Sequence, residues 1–154
     1  MKEALDNAIK EIKRVDHLFY VSLKYTRTVD MMKHMVERLI STFSFGIESL
    51  LKHAKEEKKI DEIPANEGLR WKLLMETFPN EELKNYINLY LRLRKVIRAK
   101  YTKREEFRRH VTMTATIDNG KIVEVNIDSL KEDYEKTKNF IKFVRTIIYG
   151  EEKV

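Results

Sequence analysis

In V-T-M-T-A-T-I-D-N-G-K-I-V-E-V-N-I, Val111 to Ile127, the apolar residues recur at every second position, after more than a hundred residues that follow a helical period. A period near 3.6 marks a helix face and a period of 2 marks a strand. Two β-rich runs, Val111 to Ile117 and Ile122 to Ile127, flank Asp118-Asn119-Gly120. A two-residue Asn-Gly loop would set Ala115 opposite Glu124 and Met113 opposite Asn126. A three-residue loop pairs Ala115 with Val123, Met113 with Val125 and Val111 with Ile127. Only the second gathers the apolar side chains on one face and leaves Thr112, Thr114, Thr116, Glu124 and Asn126 on the other. The expected turn is therefore three residues long, with Gly120 in the left-handed region. A lone hairpin is marginal, so its apolar face must pack on helices or on a second chain.

Everything around this stretch reads as helix. Leu5, Ala8, Ile9, Ile12 and Val15, followed by a denser patch from Leu18 to Leu23, predict a helix over about 2–25, with a break at Thr26 to Thr28. Val29, Met32, Met35, Val36, Leu39, Ile40, Phe43, Ile47, Leu50 and Leu51 predict a second, running to about Lys55. Gly46 inside it marks a close helix crossing. A charged connector with Pro64 leads to a short helix over about 67–77. Asn80 is an N-cap, and Leu83, Tyr86, Ile87, Tyr90, Leu93, Ile97 and Tyr101 continue as one seam. After the hairpin, Ser129 with Glu132 reads as a capping box for a last helix over about 129–149, stopped by Gly150. The expected fold is mainly α: an antiparallel up-and-down helical bundle with one β-hairpin (about 111–127) before the C-terminal helix, in a single domain over 1–154.

Composition agrees with long helices. Charged residues make up 36% of the 154, with 4 Gly and 2 Pro, against a usual charged fraction of about 25%. There is no cysteine, which excludes disulfides, thiolate zinc sites and cysteine nucleophiles. No glutamine and abundant Lys and Glu resemble a thermophile's surface. No run approaches the ~18 apolar residues of a membrane span, and Met1 to Lys10 lacks the apolar region of a signal peptide. The expected compartment is the cytoplasm. Glycine-rich phosphate loops, His pairs at metal spacing and nucleophile elbows are absent, so neither a cofactor nor a metal is expected.

The net charge of +6 is concentrated in one place. Arg92 to Arg109, R-L-R-K-V-I-R-A-K-Y-T-K-R-E-E-F-R-R, holds nine basic residues against Glu105 and Glu106, and His110 follows. Arg92, Lys95, Arg98, Lys100, Lys103, Arg108 and Arg109 are candidate phosphate-contacting residues. A neutral imidazole at His110 can act as a general base, and an arginine beside it can hold a phosphate. His17, His34 and His53 are widely spaced on helices and read as surface or boundary residues.

R-E-E-F-R-R-H, Arg104 to His110, resembles the Arg, four-to-six residues, His motif of the HEPN superfamily. The helix order and the segment I-E-S-L-L-K-H-A (Ile47 to Ala54) are similar as well. The resemblance covers roughly Leu18 to Tyr149. It implies a metal-independent ribonuclease of the toxin or defence type, acting on RNA as a homodimer. It implies Arg104 as the phosphate-stabilising residue, His110 as the acid/base residue and Glu48 as an accessory acid. Glu105 stands where the family commonly has a small polar residue. Thr112 stands where the members that pair with a nucleotidyltransferase antitoxin carry tyrosine. Residues six apart on an unbroken helix lie about 240° out of phase, so the motif needs a helix break before His110 or a site built from two chains. Three readings stay open: an RNA-cleaving dimer, a non-catalytic nucleic-acid-binding module, and a helical interaction or scaffold module with a solvated basic face.

Overall fold

The computed structural model describes residues 2–150. Helix α1 (Lys2–His17) passes through a π-helical segment (Leu18–Ser22) into α2 (Leu23–Tyr25). Helical φ/ψ at His17 and Ser22 keep the three continuous. The chain breaks at Thr26, and Thr28 caps α3 (Val29–Glu56), its hydroxyl accepting from the Met31 N–H at 3.1 Å. α4 (Glu67–Thr77) and α5 (Glu81–Arg98) are capped by Asn66 and Asn80, each amide oxygen accepting from the backbone N–H three residues on. Strands β1 (Lys100–Arg104), β2 (Thr112–Ile117) and β3 (Lys121–Asn126) follow, then α6 (Ile127–Tyr149).

α3 is the central element. Met32, Met35, Val36, Leu39, Phe43, Ile47, Leu50 and Leu51 are all buried, and α1, α4, α5 and α6 pack around it. At Gly46, α3 packs against Phe140 of α6. A Cβ there would lie 2.5 Å from Cε2 of Phe140, which is buried and stacked on Phe43 at 4.7 Å.

The protein is mainly helical, with a small antiparallel sheet in the order β1-β2-β3 before the C-terminal helix. The hairpin register is the expected one, with Met113 opposite Val125 and Ala115 opposite Val123. Met113, Ala115, Ile117 and Val125 are buried, and the sheet packs on α5 and α6. Four expectations need correction. The hairpin is two strands of a three-stranded sheet, because K-Y-T-K-R, with Tyr101 and Lys103 alternating against Lys100, Thr102 and Arg104, pairs with β2 instead of prolonging α5. Tyr101 is thus a strand residue, its ring beneath the Lys33 ammonium at 4.5 Å, and not part of the α5 seam. Val111 and Ile127 do not pair, since β2 starts at Thr112 and Ile127 opens α6. The capping box sits three residues earlier, on Asn126 and Ser129, because Asn126 keeps extended φ/ψ at the strand end and accepts from the Ser129 N–H. In the turn, Asp118 and Asn119 join Gly120 at positive φ. Among the described residues, no helix is long and apolar enough to cross a membrane.

Candidate nucleic-acid interface

The basic run does not lie on one helix. It divides among the end of α5, strand β1 and the loop 105–111, and each part holds its charges differently. On α5, Arg92 donates to Asp133 of α6 at 2.7 Å, and Lys95 donates to Asp118 of the hairpin turn at 2.7 Å. The Arg92 pair, with its carboxylate largely buried, ties α5 to α6, whereas both partners of the Lys95 pair are more than half exposed and exchange readily. Arg98 has no ion pair among the described residues.

Asp133 has a consequence for stability. Its side chain is largely buried, and burial pushes its carboxyl above the ordinary 3.8, outweighing the opposite pull of Arg92. The folded state then holds this proton more tightly than the unfolded chain. Between the ordinary and the raised value the folded state binds more protons, so the contribution of Asp133 is full below 3.8 and declines as pH rises through the raised value. Urea denaturation of wild type and Asp133→Asn, from about pH 4 to about pH 7, should therefore show the variant gaining on wild type as pH rises. A difference that does not change with pH would mean that the carboxyl titrates as it does in the unfolded chain.

On β1, Lys100, Lys103 and Arg104 are exposed. Arg104 points along the solvent face of the sheet and donates to Glu124 of β3 at 3.2 Å. Both partners are more than half exposed, so the pair contributes little and exchanges readily. Lys103, on the other face, bonds Glu106 at 3.3 Å; that hydrogen bond, the Glu106 charge and Asp30 raise its pKa.

The loop that follows is fixed by its backbone and by one carboxylate. Glu106 accepts from the Val29 N–H at 3.0 Å, at the positive end of α3. The Phe107 N–H donates to the Arg27 carbonyl at 2.6 Å. Two turns close the loop, Arg108 N–H to Glu105 carbonyl and Val111 N–H to Arg108 carbonyl, each 3.1 Å. Glu105 and Phe107 are held at φ of 54° and 65°. Non-glycine residues in this region cost free energy and persist where surrounding contacts impose them. The outcome is that Phe107 stands 74% exposed, with Arg108 and Arg109 beside it.

Arg109 and His110 line a cleft of about 270 Å³ with Arg27, Thr112, Asn126, Ile127 and Asp128. Arg27, Arg108 and Arg109 have no ion pair among the described residues; the Arg27 Nε–H donates to the Leu23 carbonyl at 3.3 Å. Among the described residues, Asp128 is the only carboxylate lining the cleft. Its place in the first turn of α6 favours that helix through the dipole.

The sequence-predicted residues are thus partly brought together. Arg109 and His110 share the cleft, with Arg108 next to them. Arg104 lies in the row Arg104, Thr112, Asn126 across the sheet, but its guanidinium is turned to Glu124. Glu48 is elsewhere. It is ion-paired with Lys52 and Arg70, and α3 carries it about five turns, roughly 28 Å, beyond Val29 where the loop docks. One chain therefore does not assemble Arg104, His110 and Glu48. Arg27 was missed in the sequence, and its only signal is a lone arginine in the Thr26 to Thr28 break.

Compared with protein-family models, curated proteins and solved structures, the chain matches none.

Proposed function

We propose that this chain is a HEPN-like up-and-down helical bundle of the cytoplasm that binds single-stranded RNA at the loop 105–111. One observation carries the reading. Arg27 and Arg109, with no ion pair among the described residues, line one cleft with the His110 imidazole, and the adjoining loop residues are Arg108 and an exposed Phe107. Guanidinium groups match phosphate oxygens two at a time. The Phe107 ring offers a stacking surface that only an unstacked base can use. The test is competition for a labelled single-stranded RNA. Unlabelled single strand should displace it at least ~10-fold better than duplex of equal length. Equal competition would remove the stacking role, and no retardation at all would leave a solvated basic face on an interaction module.

Asp128 provides a second check. Asp128→Asn removes the one negative charge lining the cleft and should tighten RNA binding a few-fold. It should lower stability by about 0.3–1 kcal/mol through the lost dipole interaction. Gel retardation and thermal melting of the same preparation read both effects. Weaker binding would contradict a phosphate in this cleft.

Metal-independent cleavage is the second reading, favoured by His110 sharing its cleft with two arginines. In this reading the neutral imidazole takes the 2′-hydroxyl proton, and the 2′-oxygen bonds to the adjacent phosphorus. The P–O5′ bond breaks, and the 5′-oxygen takes a proton from the protonated His110 of a second copy. The ends are a 2′,3′-cyclic phosphate and a 5′-hydroxyl. Incubating labelled RNA in EDTA with wild type and His110→Ala tests it. Cyclic-phosphate ends from wild type alone support cleavage, and intact RNA in both leaves binding as the function.

A further inference from the structure

A second cleft, of about 350 Å³, lies between α1 and α3 and is lined by Lys13, Arg14, His17, Leu18, His34 and Arg38. Every lining side chain except Leu18 carries or can take a positive charge. Beneath them Glu11 is only 5% exposed. Its two oxygens accept from Arg14 at 2.7 Å and from Arg38 at 3.3 Å, so one buried carboxylate fixes an arginine from each helix. A guanidinium has five N–H donors, and Arg14 and Arg38 each direct one of them to Glu11.

A single arginine would be enough to match Glu11. The second arginine and Lys13 are surplus positive charge, and Lys13, His17 and His34 have no ion pair among the described residues. Like charges held together on adjacent helix turns oppose folding. An anion between them turns that cost into an attraction, strengthened by the apolar stems that form the walls. Phosphate, with several acceptor oxygens, fits two oriented guanidinium groups and an ammonium.

We propose that this cleft is a phosphate-binding site separate from the one at Arg27, Arg109 and His110. The phosphate has two possible sources. One is a strand bound at the loop, since His34 stands little more than one turn beyond Val29, about 8 Å along α3. A free phosphorylated small molecule is the other source.

The experiment is a pyrophosphate titration at constant ionic strength, followed by the imidazole proton resonances of His17 and His34. Wild type should show saturable shifts at both, with chloride at the same ionic strength giving none. Arg38→Ala should weaken the site about tenfold. Lys13→Ala, at an exposed position, gives a smaller loss should Arg38→Ala fail to fold. Arg27→Ala/Arg109→Ala, which disables the loop, should leave the shifts intact, so this site stands or falls apart from the RNA reading. If single-stranded RNA displaces pyrophosphate, the source is the strand; if it does not, the source is a free phosphate compound. Absence of saturable shifts, or wild-type affinity in both Arg38→Ala and Lys13→Ala, overturns the proposal.

Discussion

Gly46→Val should cost about 3 kcal/mol of folding stability, the upper part of the range for overpacking a filled core. The added Cβ would start 2.5 Å from a Phe140 ring carbon. That ring cannot swing aside, since it is stacked on Phe43 at 4.7 Å and tilted against Tyr86 at 5.4 Å. Valine is β-branched and gains only about 0.3 kcal/mol in helix propensity over glycine, too little to offset the clash. Phe140→Ala alone should cost about 3–5 kcal/mol by leaving a cavity. Combined, each change relieves the other, because the valine enters the space the ring has left. Urea denaturation of the four proteins should give a double-variant loss well below the sum of the single losses, by more than ~1 kcal/mol. Additive losses would mean that α3 and α6 do not meet at Gly46.

Arg27→Ala/Arg109→Ala should weaken binding of single-stranded RNA by about 100-fold near 0.1 M salt, some 1.5 kcal/mol for each charged contact. Both residues line the same cleft and neither is matched by a carboxylate among the described residues. Lys95 is the contrast. It belongs to the same basic run but donates to Asp118 at 2.7 Å. Lys95→Ala should change the affinity less than ~3-fold, because Lys95 is exposed and lies outside the cleft. A solvated basic face would behave otherwise, with each cation counting about equally. Gel retardation of one labelled oligonucleotide by the three proteins separates these outcomes, and unchanged melting of the double variant excludes unfolding as the cause.

How much of this was legible in the sequence depends on how local the cause is. The α3 stripe, the Asn80 cap, the hairpin register and the crossing at Gly46 were readable, since each rests on periodicity, capping or turn chemistry within a few residues. Strand β1 was not. Its alternation is carried by Lys, Thr and Arg, which give no apolar face, and Tyr101 happens to continue the helical spacing of α5. The pairing with β2 that decides it is a tertiary event. The candidate site followed the same division. Arg109 and His110 stood out as charge beside an imidazole. The distance of Glu48 and the arrival of Arg27 depend on where the loop docks on α3, through Glu106 and Phe107, and short-range pattern carries no record of that.

The salt dependence of RNA binding tests the central claim most directly. The dissociation constant of a single-stranded oligonucleotide would be measured across salt for wild type and Arg27→Ala/Arg109→Ala. Each phosphate contact contributes about 0.7 to the slope of log affinity against log salt. Loss of two contacts should therefore make the slope shallower by about 1.4, alongside the weaker binding. An identical slope and affinity in the two proteins would contradict the account, placing the RNA, if any is bound, away from the loop 105–111.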